Sequence, residues 1–373
     1  MTTNIAMIGY GAMGRAHAMG YRDIVHHYGL KSDAVQVVAV ATTRTESARQ
    51  AADELGCATA STNYHELIAR ADVDVIDICT PHDSHEEIVT AAARAGKHIY
   101  CEKPLARTFD EAQRMAAAVR AANVKCALTF NFRFFPCVLR AKHLIDEGFC
   151  GRVFSFHGRY FRASYIDPKR PMSWRLRKAQ AGGGVLIDSG AHAVDFAQWL
   201  ISGIEHVRAT VSTPYAMRPV NAGSSETEAV DVEDVALVQL RCAGGALGTL
   251  DISRVATGAT NDAWFEVRGD KGALRFTLEE PNWLHVFDTR TAAAVRGFTR
   301  VETVARFDGA LMPDWSQPVG ISRTHAECQY RFLRSIWDDT PSSPGIDDGL
   351  RVQAIVDAAY RSAASEAWEK VEL

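Results

Sequence analysis

A short apolar segment, residues 4–8, runs directly into Gly9-Tyr10-Gly11-Ala12-Met13-Gly14, and a helical pattern follows from Arg15 to about Tyr28. No other feature restricts the fold as strongly. A G-x-G-x-x-G set between a strand and a helix needs Gly9 for the tight turn. It needs Gly11 for backbone to approach a pyrophosphate, and Gly14 for close packing of helix on strand. The amides of Gly11, Ala12 and Met13 then open a helix whose free N–H groups favour an anion. The start of the chain is therefore expected to be a dinucleotide-binding, doubly wound α/β domain.

The rest of the first 130 residues keeps that pattern. A second strand, 35–41, ends in Thr42-Thr43-Arg44, with no acid where a ribose 2′-hydroxyl would be held; Glu46 comes a few positions late. Thr43 and Glu46 spell a T-x-x-E capping box for a helix reaching Gly56. Arg44 with two hydroxyls suits a 2′-phosphate, a charge-assisted contact of roughly 1.5–3 kcal/mol. NADP(H) is thus favoured, with NAD(H) the alternative. A buried strand over 73–80 leads to Thr80-Pro81-His82 and then His85, all cofactor-side candidates at the carboxyl end of the sheet. His82 and His85 have no third ligand after them and supply turn polarity, so no metal site is expected. The strand 97–101 delivers Glu102-Lys103-Pro104 to the same edge, placing Glu102 and Lys103 beside a bound ligand. Thr108 and Glu111 form another capping box, and residues 125–129 close the alternation.

From 131 onward the text changes. Arg133 ends the last Rossmann strand and is a candidate for the cofactor or the substrate. Residues 168–180 are irregular and carry Trp174 and Arg175, before Gly182-Gly183-Gly184. A single helix is expected over 185–200, with Asp188, His192 and Asp195 on one face at i, i+4 and i+7. The triple glycine lets a ligand or another backbone come close. Strand patterns at 207–212, 234–241, 246–254, 262–268 and 272–277, separated by tight turns, predict a large open antiparallel sheet. Residues 214–233 look like an exposed, strand-free loop or an oligomer contact, and 300–320, with Asp314-Trp315, like an insertion. The chain divides into a Rossmann domain, 1–130, and an α+β substrate-binding and oligomerisation domain, 131–373.

Composition removes several classes. A net charge of −4 with no basic run argues against nucleic acid or a membrane surface as partner. No apolar run approaches the ~18 residues of a membrane span. The strand pattern starts by Ile5, which leaves no room for a secretory leader. Eight scattered cysteines lack C-x-x-C spacing and point to a reduced, cytoplasmic protein.

Gly9–Gly14, Glu102-Lys103-Pro104, the Arg133/Pro136 pair, and Gly183-Gly184 with Asp188 and His192 together resemble the glucose–fructose oxidoreductase/inositol dehydrogenase/MocA (Gfo/Idh/MocA) family over nearly the whole chain. The run Pro171–Arg175 resembles its levoglucosan dehydrogenase-like sugar dehydrogenases. The resemblance implies that Lys103, Asp188 and His192 are catalytic and that the Lys103–Pro104 bond is cis. It implies hydride transfer from a secondary ring hydroxyl of a sugar, anhydrosugar, glycoside or cyclic polyol to nicotinamide. His192 would take the hydroxyl proton, Lys103 would stabilise the developing alkoxide, and Asp188 would orient His192 or the substrate. Arg133, Trp174 and Arg175 complete the substrate-side candidates, and a homodimer or homotetramer through the second sheet is expected. An NAD-dependent glycosidase working through transient oxidation, or a non-catalytic nucleotide or sugar sensor, are the competing readings.

Overall fold

The computed structural model describes residues 2–201, 203–303, 307–314 and 317–373; Trp315 of the predicted insertion lies outside them. The first sheet has β1 (Thr3–Ile8), β2 (Val35–Ala41), β3 (Thr59–Ser61), β4 (Val75–Ile78), β5 (His98–Cys101) and β6 (Cys126–Leu128). All pairs are parallel and the order is β3-β2-β1-β4-β5-β6. Val75–Ile78 is buried at every position, as a central parallel strand covered on both faces must be. The strand order reverses between β1 and β4. Ligands of such sheets bind outside the carboxyl ends at this switch point.

The chain forms two compact units that interleave in sequence. One comprises Met1–Phe134 and Ala305–Leu350, the other Phe135–Val304 and Arg351–Leu373. A linear division at 130/131 therefore leaves out a segment that rejoins the first unit. Within it the helix Ile321–Trp337 lies on the helix Ala12–His27. Gln329 Nε2 donates to the His17 carbonyl at 3.0 Å, and the Tyr28 and Tyr330 rings stack. Gly20 permits the approach, because a Cβ there would lie 1.8 Å from Gln329 Oε1. Amphipathicity marks both helices, but it does not say which sheet a returning helix will cover.

In the second unit nine strands form one mixed sheet. Their order is Thr299–Glu302, Trp283–Asp288, Gly272–Thr277, Asp262–Gly269, Val153–Phe161, Leu247–Ser253, Val235–Cys242, Ile204–Ser212 and Glu369–Lys370. Only the pair Val153–Phe161 with Leu247–Ser253 is parallel; the other neighbours are antiparallel. The earliest strand takes the centre because later hairpins pair on either side of it. Phe156, Gly158 and Tyr160 share one face of it. On that side the helix Gly190–Ile201 packs Phe196 against Phe265 and Phe276, with ring centroids 5.1 and 5.8 Å away.

Three expectations change here. The segment 214–233 is not strand-free: Met217–Pro219 pairs with Thr227–Ala229. Arg218 from this hairpin is fully buried and donates to the carbonyls of Tyr165 and Asp167 at 2.6 and 2.7 Å. The predicted helix over 185–200 is two helices, Val185–Asp188 and Gly190–Ile201, meeting at Ser189. Gly190 sits so near the sheet that a Cβ would fall 2.8 Å from Ile252 Cδ1. Finally, the T-x-x-E box at Thr43 does not form. The helix Thr45–Leu55 has Arg44 at its N-cap with no side-chain cap. Thr42 Oγ1 and Ser47 Oγ bond each other and the Arg44 carbonyl instead, which moves the helix start one residue on.

Candidate active site

The glycine turn has the close backbone approaches that a dinucleotide fingerprint requires. Gly9 has φ +90°, and a Cβ there would sit 2.7 Å from the Cys79 carbonyl oxygen. A Cβ on Gly14 would be 2.5 Å from the Gly9 carbonyl oxygen. Gly11 differs: nothing lies within 4 Å of its Cβ position. That position opens to solvent. The helix Ala12–His27 starts there without a side-chain cap or an acid in its first turn, so its amides are available to an anion. At the end of β2, Thr43 and Arg44 are exposed while Thr42 is engaged within the loop.

Beyond β4, Thr80, Pro81 and His82 make a turn whose Thr80 hydroxyl accepts from Ser84 Oγ at 2.7 Å. His85 is fully buried and serves the protein itself. Its Nδ1 lies 3.1 and 3.2 Å from the Pro104 and Leu105 carbonyls, and its Nε2 lies 3.1 Å from that of Thr80. Burial lowers its pKa, so its single N–H donates either to the Thr80 carbonyl or to those of Pro104 and Leu105, and the ring packs between the end of β4 and the segment after Lys103. The Lys103–Pro104 peptide is cis. The Lys103 amide donates to Glu102 Oε2 at 3.0 Å. Arg133 is 2 % exposed and donates to Asp348 Oδ1 at 2.9 Å, so its charge is matched inside the first unit.

The second unit gathers the remaining candidates. Asp188 is partly exposed, with Arg175 Nε 3.8 Å from its Oδ2, and the Arg175 guanidinium lies over the Trp174 ring at 4.2 Å. His192 is 7 % exposed and meets the Tyr160 ring edge-on at 6.0 Å. Asp195 is 2 % exposed, deeper in the helix–sheet core. Burial, with the Asp188 charge beside it and against the pull of Arg162, pushes the Tyr160 phenol up to about 12. It therefore stays a neutral donor, bonded to Asn261 Oδ1 at 2.8 Å.

The glycines before this helix admit protein groups, not a ligand. A Cβ on Gly184 would be 2.0 Å from the Glu233 carbonyl oxygen, and one on Gly183 equally near the Tyr360 hydroxyl. Glu233 caps the helix that carries Asp188. Its carboxylate accepts from the amides of Gly184 and Leu186 at 3.0 and 2.9 Å and from Tyr360 Oη at 2.9 Å. Burial nonetheless raises its pKa, since three donors only partly replace water. The Trp174–Arg175 segment is held from below by the buried Arg254–Asp234 pair, 2.6 Å apart, with Arg254 Nη1 reaching the Arg175 carbonyl at 3.4 Å. Tyr160, Glu233 and Arg254 were missed in the sequence. The inward parity of Tyr160 was legible from strand alternation, but its neighbour His192 was not.

Residues 3–130 match the family described as "Oxidoreductase family, NAD-binding Rossmann fold", and residues 138–275 match "GFO/IDH/MocA C-terminal domain". The chain is 35% identical to the levoglucosan dehydrogenase of Pseudarthrobacter phenanthrenivorans, over 99% of this chain and 98% of the relative. It is 28% identical to the inositol 2-dehydrogenase of Rhizobium meliloti, over 98% of each. A solved levoglucosan dehydrogenase in complex with NADH and levoglucosan superposes with a TM-score of 0.95 at 35% identity, covering all of both chains. With both halves of the fold matched, and the glycine turn and the Glu-Lys-Pro segment in place, the chain belongs to the Gfo/Idh/MocA oxidoreductase family.

Proposed function

We propose that this protein is a nicotinamide-dependent dehydrogenase that oxidises one secondary ring hydroxyl of a neutral cyclic polyol: a pyranose, an anhydrosugar, a glycoside or an inositol. The dinucleotide, when bound, supplies the hydride acceptor. The protein's own part is proton handling and alignment. His192 takes the hydroxyl proton. Lys103 hydrogen-bonds the same oxygen as negative charge develops. Asp188 holds substrate hydroxyls or the His192 ring. One observation carries the substrate class: the arginines of the 170–177 run are each engaged by a protein group. Arg170 donates to the Ser164 carbonyl at 2.7 Å, Arg175 lies by Asp188, and Arg177 grips Glu228 through two bonds of 2.7 and 2.6 Å. Of this run, Arg177 is fully committed to a carboxylate and Arg175 already faces one, which supports an uncharged substrate. The names of the relatives, a levoglucosan and an inositol dehydrogenase, agree with that class.

A screen of sugars and polyols, read at the absorbance of the reduced nicotinamide, tests this. A site built for hydroxyls rejects analogues lacking them, by roughly 10⁴-fold where buried polar groups lose their partners. Cyclohexanol should therefore be a poor substrate beside the best cyclic polyol. A preference for a sugar phosphate overturns the reading.

For the cofactor, the exposed Thr43 and Arg44 at the end of β2 favour a 2′-phosphate and hence NADP(H), although a solved relative holds NADH. Arg44→Ala should weaken NADPH about tenfold or more, the value of a charge-assisted contact, and leave NADH unchanged. Equal wild-type dissociation constants for the two sink the preference.

A second copy of the chain is the partner best suited to the open face of the large sheet. There Leu237 and Leu247 are exposed, and Arg159 lies 5.6 and 5.4 Å from the rings of Phe161 and Trp264. Leu237→Arg should lower the sedimenting mass; an unaltered oligomer moves the interface elsewhere. The eight free cysteines match a reducing compartment and support a cytoplasmic location. Among the described residues no helix is long and apolar enough to cross a membrane.

A further inference from the structure

His17 follows the last glycine of the turn by three residues and is fully buried. Its Nδ1 lies 2.9 and 3.1 Å from the two carboxylate oxygens of Asp77 on β4, and its Nε2 lies 3.0 Å from Glu102 Oε1. A neutral imidazole carries one N–H, and an ionised carboxylate only accepts. Both contacts are satisfied together when the ring carries two protons. The other Glu102 oxygen accepts the Lys103 amide, so one carboxylate links the imidazole to the backbone that presents the lysine. Cys79 Sγ also lies 3.1 Å from His17 Nδ1.

We propose that His17 is a positioning residue: a buried imidazolium that keeps Glu102 ionised and bonded to the Lys103 amide, and so sets where the lysine of the Glu-Lys-Pro turn stands. The inference rests on the reading of Lys103 as the group that meets the reacting oxygen. The surrounding groups agree. Burial alone would lower the His17 pKa, but the Asp77 charge, Cys79 and their hydrogen bonds raise it well above the usual value. Burial would raise Glu102, yet the His17 hydrogen bond and charge, with Lys103 and His325, bring it down to about 2. His325, whose ring centroid is 5.8 Å from that of His17, is pushed down to about 4 by burial and by the charge of His17, so it stays neutral. Tyr100 presents only its ring, 5.1 Å away. Asp77, Cys79, Lys103 and His325 face the His17–Glu102 pair most directly, and His85, Cys101 and Cys328 also lie within reach of its charge.

The test is His17→Gln, which still offers an amide donor to Glu102 but no charge. Burial of Glu102 then goes unopposed, and buried carboxyls titrate well above their usual range. The acid side of the kcat/KM profile, governed in the wild type by one ionisation, should steepen to two as Glu102 takes a proton on falling pH. The turnover number should fall about 10²-fold, the scale for a misplaced catalytic group, with the cofactor dissociation constant and the KM for polyol nearly unchanged. The double variant His17→Gln/Glu102→Gln has no carboxyl to titrate, so its profile should return to a single ionisation while turnover stays low. If His17→Gln does not accumulate folded, Asp77→Asn removes the other support of the imidazolium and should show the same steepening. Wild-type turnover with an unchanged profile overturns the proposal. So does a loss that follows thermal stability and cofactor affinity without a second ionisation, which marks a merely structural role. Lys103→Ala separates the two layers: if it turns over normally, the functional reading fails. If it is inactive while His17→Gln is fully active, only the positioning role fails.

Discussion

Lys103→Ala should lose at least 10²–10³-fold in turnover on the true substrate, the usual loss when a donor aimed at a developing oxyanion is removed. The lysine follows β5 at the carboxyl edge of the sheet, and its surroundings hold it there. Glu102 receives its amide, the His85 ring packs against the Pro104 and Leu105 carbonyls after it, and Pro104 and Leu105 are buried. The variant should bind cofactor with unchanged affinity, because the glycine turn and the N-terminus of the first helix are untouched. Titration of the cofactor beside single-turnover rates checks both halves of the statement. Normal turnover removes Lys103 from the mechanism. Lys103→Arg should not restore the rate, since a planar fork does not replace a compact ammonium.

His192→Asn should lose about 10²–10⁴-fold, the share of a general base. Asparagine keeps a polar group in the space beside Tyr160 but takes no proton near neutrality. The KM for polyol should change little if the ring acts chiefly in the transition state, so the loss should appear in kcat and in kcat/KM alike. His192 is mostly buried against Tyr160 and belongs to the helix that packs Phe196 on the sheet. Thermal unfolding of the variant must therefore accompany the kinetics. A stable variant that turns over normally assigns the base to another residue.

Much of this was readable from residues alone, for a definite reason. The glycine turn is a local requirement: Gly9 and Gly14 are needed because backbone carbonyls lie where a Cβ would go. Alternation of apolar strand and helix specifies a parallel sheet, and the six strands took the expected doubly wound order. Thr108 caps its helix by accepting from the Glu111 amide at 3.2 Å, one half of its predicted box, while the Glu111 carboxylate takes the Arg107 amide instead. The similar box at Thr43 failed because Thr42 and Ser47 competed for the same turn, a contest between neighbours that a four-residue pattern does not describe.

Features that depend on neighbours along the chain could be read directly from the residues: the nucleotide turn and the Glu-Lys-Pro exit from β5. The single helix expected to carry both Asp188 and His192 breaks at Ser189. Tertiary structure decided which distant groups complete these features. His17 is 85 residues from Glu102, Glu233 is 49 from Gly184, and residues 305–350 return to the first unit. Hydrophobic periodicity records that a face is buried, but not against what. A buried charge needs a partner within about 3 Å, and only the folded chain shows which residue supplies it.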